Sequence, residues 1–195
     1  MWDQRYDTEE YIYGIEPNQF VKDTIQNIKK GKVLCLGAGE GRNAVYLAQQ
    51  GYEVTAVDSS AVGMQKAQKL AAANNVSIKT VTADLADYKI EPESWQGMIS
   101  IFCHVPSQLR KKIHRNVVSG LVSGGIYILQ AYTPEQLHYR TGGPSNVDML
   151  YKLTDLQNDL SGLIFKTGEE KIREVHEGVL HTGKSAVVQI VAEKP

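Results

Sequence analysis

The strongest constraint on this chain is a glycine-rich turn, Gly37-Ala38-Gly39-Glu40-Gly41, set between an unbroken apolar run and an amphipathic stretch. Before it, Val33, Leu34, Cys35 and Leu36 are apolar without alternation, the mark of a strand buried on both faces. After it, Ala44, Val45, Leu47 and Ala48 fall on one helical face and Gly51 follows, which predicts a helix over 41–50. Glycines at such a junction let the backbone turn tightly and let a ligand approach main-chain atoms that a Cβ would shield. The helix start behind them offers free N–H groups and a positive dipole end to a carboxylate or phosphate.

The same alternation continues along the chain. Strands are predicted over 32–37, 53–58, 77–82, 97–102 and 125–131, with amphipathic stretches between them. Phe20, Val21, Thr24, Ile25 and Ile28 predict a first helix stopped at Gly31, and Ser59 or Ser60 can cap one carrying Val62, Ala67, Leu70 and Ala71. Val147, Leu150, Leu153, Leu156 and Leu160 predict one further helix, after a loop over 133–145. Residues 171–179 and 184–191 read as two strands joined through His181-Thr182-Gly183, short enough for an antiparallel hairpin. The expected fold is α/β, a single domain over 1–195. It has a doubly wound, mostly parallel seven-stranded sheet of Rossmann-like form, closed by a C-terminal antiparallel hairpin.

Composition narrows the partners. A formal net charge of −1 gives no broad attraction to phosphate backbones or anionic lipid, so no nucleic acid and no membrane are expected. No apolar run approaches the ~20 residues of a membrane span, and residues 1–7 lack a secretory pattern, so a cytoplasmic location is expected. Cys35 and Cys103 lie in apolar segments and read as reduced thiols. His138, His176 and His181 lack metal-ligand spacing, and no metal is expected.

Asp58 ends the second strand, where doubly wound folds place an acid on a ribose hydroxyl pair; the plainer reading is a helix cap shared with Ser59 and Ser60. Together, turn and acid fit a nicotinamide-dependent oxidoreductase as well as a methyltransferase. Spacing separates them: Arg42 stands where the dinucleotide fingerprint wants its third glycine, and the terminal hairpin suits the methyltransferase sheet better.

Gly37-Ala38-Gly39-Glu40-Gly41-Arg42-Asn43-Ala44 resembles motif I of the class I S-adenosylmethionine-dependent methyltransferases. Trp2-Asp3-Gln4-Arg5-Tyr6 and Tyr13-Gly14-Ile15-Glu16-Pro17-Asn18 resemble the branch of the tellurite-resistance methyltransferases, similar to the thiopurine methyltransferases. The resemblance implies S-adenosylmethionine as cofactor, S-adenosylhomocysteine as product and a small-molecule methyl acceptor. It places Gly37, Gly39 and Gly41 under the methionine part, with Ala38, Glu40, Arg42 and Asn43 beside them. Asp58 would hold the ribose, with Ser59 beside the adenine; Ala83, Asp84 and Leu85 would read the adenine, Asp84 having a turn residue as its plainer reading. Trp2, Arg5 and Tyr6 join the cofactor side, and Phe102 and His104 face the transferred methyl group. One departure is Cys35, where such loops often carry an acid; Glu40 is then either a partner for the cofactor amine or a solvated acid at the helix start.

On the acceptor side the candidates are Tyr11, Tyr13, His104 and Arg140. His104 is either a general base or a histidine of the cavity wall, and Arg140 either an anion holder or a solvated loop residue. Transfer from a sulfonium is an in-line displacement that rests on alignment at ~3–3.5 Å and needs a base only for a poorly ionised acceptor. A non-catalytic module that binds the cofactor is the third reading.

Overall fold

The computed structural model describes residues 2–178 and 181–195. Seven strands form one sheet: β1 (Lys32–Leu36), β2 (Glu53–Asp58), β3 (Lys79–Thr82), β4 (Trp95–Ile101), β5 (Leu121–Tyr132), β6 (Ile164–Glu177) and β7 (His181–Glu193). Their order is β3-β2-β1-β4-β5-β7-β6. The first five are parallel, and β7 runs antiparallel to both β5 and β6. Among the described residues six α-helices accompany them: α1 (Trp2–Tyr6), α2 (Gln19–Thr24), α3 (Arg42–Gln49), α4 (Ala61–Ala73), α5 (Ser107–Gly120) and α6 (Leu153–Asp159).

The unbroken apolar strands are explained by a core on each face. Leu34, Leu36, Met98, Tyr127 and Leu129 pack with Ile113 and Val117 of α5 and Leu156 of α6. Val33, Cys35, Ile99 and Ile128 pack with Val21 of α2, Leu47 of α3 and Met64 of α4. Chain direction across the sheet reverses at β1, which pairs with β2 on one side and β4 on the other. Such a switch point leaves a crevice beyond the carboxyl ends of the strands, where open α/β sheets bind ligands. Register brings those ends level, with Leu36 beside both Val57 and Ser100.

Three expectations need correction. The helix expected across 147–160 is split: Val147–Met149 is a 3-10 turn, and α6 starts only at Leu153. Between them the chain is pulled out by a backbone bond from Tyr151 N to Tyr132 O at 2.9 Å. The first helix also stops early, at Thr24, and continues as the 3-10 turn Ile25–Asn27. Finally, His181, Thr182 and Gly183 do not join the hairpin but belong to β7, paired with Glu177, His176 and Val175. Val179, the expected end of the preceding strand, lies outside the described residues.

Candidate cofactor and acceptor site

The crevice holds a cavity of about 690 Å³. Its floor is the turn after β1, where Gly37 and Gly39 have φ of +62° and +55°, values that L side chains rarely adopt. The turn is pinned to the next strand end: Gly39 N donates to Asp58 Oδ2 at 2.8 Å, and Ser60 N donates to Oδ1 at 2.9 Å. The Ser59 N–H also faces the carboxylate, which keeps lone-pair capacity for a ligand beyond these backbone donors. Burial raises the Asp58 carboxyl above its usual value, and the backbone N–H groups oppose that. The cap of α4 is Ser60, whose side chain accepts from Gly63 N.

The N-terminal segment forms the roof. Trp2 stacks on Tyr6 with centroids 5.7 Å apart, and the Arg5 guanidinium lies 4.9 Å above the Trp2 ring. Arg5 Nη1 also donates to the Tyr13 hydroxyl at 3.3 Å. Two polar joints hold this roof down. Asp3 Oδ1 accepts from Ser60 Oγ at 2.5 Å and Val62 N at 3.2 Å. Buried Lys66 donates through Nζ to the carbonyls of Glu10 (2.6 Å), Thr8 (3.0 Å) and Tyr6 (3.3 Å) and pairs with Glu40 Oε1 at 2.5 Å. Glu40 is therefore a buried, ion-paired acid and not a solvated one, only 4% exposed.

Arg42 and Asn43 tie the turn to distant segments. Arg42 forms a buried ion pair with Glu177, whose other oxygen accepts from Asn18 Nδ2 at 2.5 Å. Arg42 Nη1 donates to Glu16 O at 3.2 Å, and Asn43 Oδ1 accepts from Asn18 N at 2.8 Å.

The wall opposite the turn is the chain leaving β4. Phe102 takes a left-handed φ of +52°, and its ring lies 4.5 Å from that of Tyr132. Both nitrogens of His104 are engaged by backbone: Nδ1 lies 2.7 Å from Met149 O, and Nε2 accepts from Tyr132 N at 3.3 Å. These partners fix the proton on Nδ1. Burial pushes the ring down to about 4, against the Met149 contact. The general-base reading of His104 is thus corrected: its one lone pair already faces an N–H, and the residue is a fixed, neutral part of the wall.

The cavity brings together most of the expected residues. Gly37, Ala38, Gly39, Glu40, Arg42, Asn43, Asp58 and Ser59 line it from the strand ends, Asp84 and Leu85 from beyond β3, and Phe102 and His104 from beyond β4. Trp2, Arg5, Tyr6 and Tyr13 line it from above. Asp84 is also the turn residue of the plainer reading, since Oδ1 accepts from Ala86 N at 2.8 Å.

Four expected residues are absent from the lining. A Cβ on Gly41 would meet Ala67 and not the cavity, so this glycine serves helix packing. Ala83 packs with the core beneath. Tyr11 lies in a separate surface pocket, its hydroxyl donating to Lys66 O at 3.0 Å. Arg140 takes a left-handed φ of +55° in its loop, outside the lining.

Sequence reasoning missed Cys103, Val105 and Leu109, which follow from the placement of Phe102, and Met149; Gly142, Gly143 and Pro144 reach the lining from the loop expected over 133–145. Lys66 and Glu177 carried no local signal. Among the described residues no cluster of His, Cys, Asp and Glu could hold a metal, and no helix is long and apolar enough to cross a membrane.

Residues 33–125 match the protein family described as a methyltransferase domain. A 2-heptyl-1-hydroxyquinolin-4(1H)-one methyltransferase from Mycobacteroides abscessus is 27% identical over 123 residues, 60% of this chain and 53% of that protein. A 65-residue stretch is 31% identical to hemagglutinin 1 of Eikenella corrodens. The chain thus spans 53% and 22% of the lengths of these two curated relatives. Among solved structures, TehB from Haemophilus influenzae superposes with a TM-score of 0.76 at 22% identity, over 100% of this chain and 66% of that one. Magnesium protoporphyrin IX methyltransferase from Synechocystis, crystallised with S-adenosylhomocysteine, gives a TM-score of 0.66 at 18% identity, over 89% and 78% of the two chains. Sequence across the glycine turn and fold across the whole chain agree: residues 33–125 match a methyltransferase domain, and the chain has the fold of S-adenosylmethionine-dependent methyltransferases.

Proposed function

We propose that the chain, acting as one catalytic domain, transfers a methyl group from S-adenosylmethionine to a small-molecule acceptor. The observation that carries this reading is the joint between Gly39 N and Asp58 Oδ2, which sets glycine turn and ribose acid on one cavity with the wall at 102–105. The residues present fit the cofactor. The cavity volume of about 690 Å³ lies in the ~300–1,000 Å³ range of small-molecule sites. A Cβ at Gly39 would stand 2.9 Å from the Tyr6 hydroxyl and close the gap between floor and roof.

Bound there, S-adenosylmethionine supplies an activated methyl group on a sulfonium. Asp58 would accept from the ribose hydroxyls through its remaining lone pairs, and Ser59, Asp84 and Leu85 would border the adenine. Trp2, Arg5, Tyr6 and Tyr13 shield the cavity from water, and the aromatic faces tolerate the positive charge. The wall of Phe102, Cys103 and His104 would hold the acceptor in line. Its work is alignment, since His104 has no lone pair to spare.

A small acceptor accords with the near-neutral charge of the chain and with the curated relative, whose name specifies a hydroxyquinolone. A thiol and a metalloid oxyanion such as tellurite are the other acceptors to test. The two free cysteines accord with a cytoplasmic setting. Calorimetric titration with S-adenosylhomocysteine, with NADH as comparison, tests the cofactor; micromolar binding of the first alone is expected. Binding of NADH alone would replace this reading by the oxidoreductase. Turnover of any member of a panel of hydroxyquinolone, aromatic thiols and tellurite would eliminate a non-catalytic binding module.

A further inference from the structure

The wall at 102–105 leaves β4 through a residue with φ of +52°, a conformation that an L residue holds only when its surroundings fix it. Two segments fix it: β5, where Gln130 O accepts from Phe102 N at 2.7 Å and Tyr132 N donates to His104 Nε2, and residues 148–151. The Tyr151 hydroxyl donates to Cys103 O at 2.8 Å and accepts from Val105 N at 3.3 Å, so a single oxygen spans the turn. Met149 O holds His104 Nδ1 at 2.7 Å. Asp148 Oδ2 accepts from Ser107 N at 3.1 Å, at a helix start that has no side-chain cap of its own. The Ser107 contacts hold the Asp148 carboxyl below its usual value.

Tyr151 is itself locked from below. It is 2% exposed, and the Arg110 guanidinium lies 5.0 Å from its ring. Arg110 Nε is held by Asp159 Oδ2 at 2.8 Å, and the same oxygen lies 3.5 Å from His114 Nδ1. On its far side the wall touches the glycine turn: a Cβ at Gly37 would come within 2.5 Å of Cys103 Sγ. The position of Cys103 therefore sets how closely the wall approaches the cofactor floor, and the Tyr151 hydroxyl holds its carbonyl while Ser100 contacts its thiol.

We infer that Tyr151 is a positioning residue for methyl transfer, its hydroxyl setting the acceptor wall at 103–105 against the glycine turn. The inference rests on the reading of that wall as the acceptor side. Tyr151→Phe removes one oxygen, keeps the ring packing and leaves Cys103 O and Val105 N without their partner.

The test uses the full chain and three readouts. Alkylation of Cys103 by iodoacetamide, followed by peptide mapping against buried Cys35, should accelerate about tenfold as the turn loosens. The dissociation constant for S-adenosylhomocysteine should stay within about twofold, because the floor and Asp58 are untouched. With any acceptor turned over by the wild type, kcat should fall about ten- to a hundredfold with a smaller change in KM. Unchanged alkylation together with unchanged kcat overturns the inference. So does a loss of S-adenosylhomocysteine affinity as large as the loss of kcat, which would mark a merely structural role. If the wild type methylates nothing in the panel, the proposed acceptors fail, while the alkylation and binding arms still decide the role of Tyr151. If Tyr151→Phe does not fold, Asp148→Ala decides, since it loosens the same segment from an exposed position. Cys103 alkylation equal to wild type in that variant overturns the inference, and faster alkylation supports it.

Discussion

Gly41→Ala and Gly39→Ala should separate the two duties of the glycine turn. A Cβ at Gly41 would stand 2.4 Å from Ala67 Cβ and 2.8 Å from Ala67 Cα. Alanine has no rotamer to change, so α3 must move off α4 by about 1–1.5 Å to regain carbon contacts of about 3.5–4.0 Å. Overpacking of this kind costs about 1–3 kcal/mol, and a φ of +88° at Gly41 adds about 1–2 kcal/mol. The total of about 2–5 kcal/mol is a large part of the ~5–15 kcal/mol that stabilises a domain. At ~2–4 °C per kcal/mol, Tm should fall by roughly 4–20 °C. Gly51→Ala is the internal control: its φ is +82° but nothing lies within 4 Å of the added Cβ, so only the backbone cost of about 1–2 kcal/mol applies. Ala67→Gly in the Gly41→Ala background should recover only part of the packing share, since Ala67 Cα still lies 2.8 Å from the added Cβ and a glycine inside α4 costs about 1 kcal/mol. At Gly39 the added Cβ meets only the tip of Tyr6, 2.9 Å away, which can retreat. Its stability cost should stay near that of Gly51→Ala while affinity for S-adenosylhomocysteine falls tenfold or more, about 1.4 kcal/mol. Thermal unfolding by circular dichroism and calorimetric titration below every Tm supply the two rankings. Equal Tm values for Gly41→Ala and Gly51→Ala would refute the packing argument, and a larger affinity loss at Gly41 than at Gly39 would refute the division of duties.

Asp58→Ala should weaken S-adenosylhomocysteine binding by about 2 kcal/mol, roughly thirtyfold, read by the same titration. Arg42→Met strands the Glu177 carboxylate, 8% exposed, and should cost about 3–5 kcal/mol in urea unfolding, whereas Glu177→Gln keeps a partner for Asn18 and should cost less. His104 is neutral in the fold down to about 4, while the unfolded chain takes its proton near 6.5. Between those values the unfolded state binds more protons, so stability rises with pH and is lost as pH falls from 6.5 towards 4. His114, also lowered by burial, adds in the same sense; Asp58, raised by burial, opposes above its usual 3.8. The comparison of His104→Gln with wild type isolates the first effect: the variant's Tm should vary less between pH 6.5 and 4, and an equally steep curve would remove His104 as its source.

The layered sheet was legible because its signals are local. Val33 to Leu36 are buried on both faces, and a strand with no wet side shows no alternation. The residues at the ends of β1, β2 and β4 were legible for a related reason, since a parallel sheet delivers all its carboxyl ends to one edge. What failed depended on contacts that no window of sequence contains. Leu150, Leu153 and Leu156 keep helical spacing, yet a backbone bond to Tyr132 O draws Tyr151 out of any helix. Gly41 follows Gly39 by two positions but turns toward Ala67, because φ at each step decides which way the next residue faces. Lys66 reads as one more polar residue of α4; only the folded chain brings Glu40 and three carbonyls of the roof around its ammonium. Arg42-Asn43 and Glu16-Pro17-Asn18 are the instructive case. In sequence they stand apart and serve only as marks of a resemblance. In the fold Arg42 donates to Glu16 O and Asn43 accepts from Asn18 N, so each segment supplies the partners of the other. The two motifs form one physical joint, through which the helix of the cofactor turn carries the N-terminal roof. A change in either should disturb binding even where it touches no ligand.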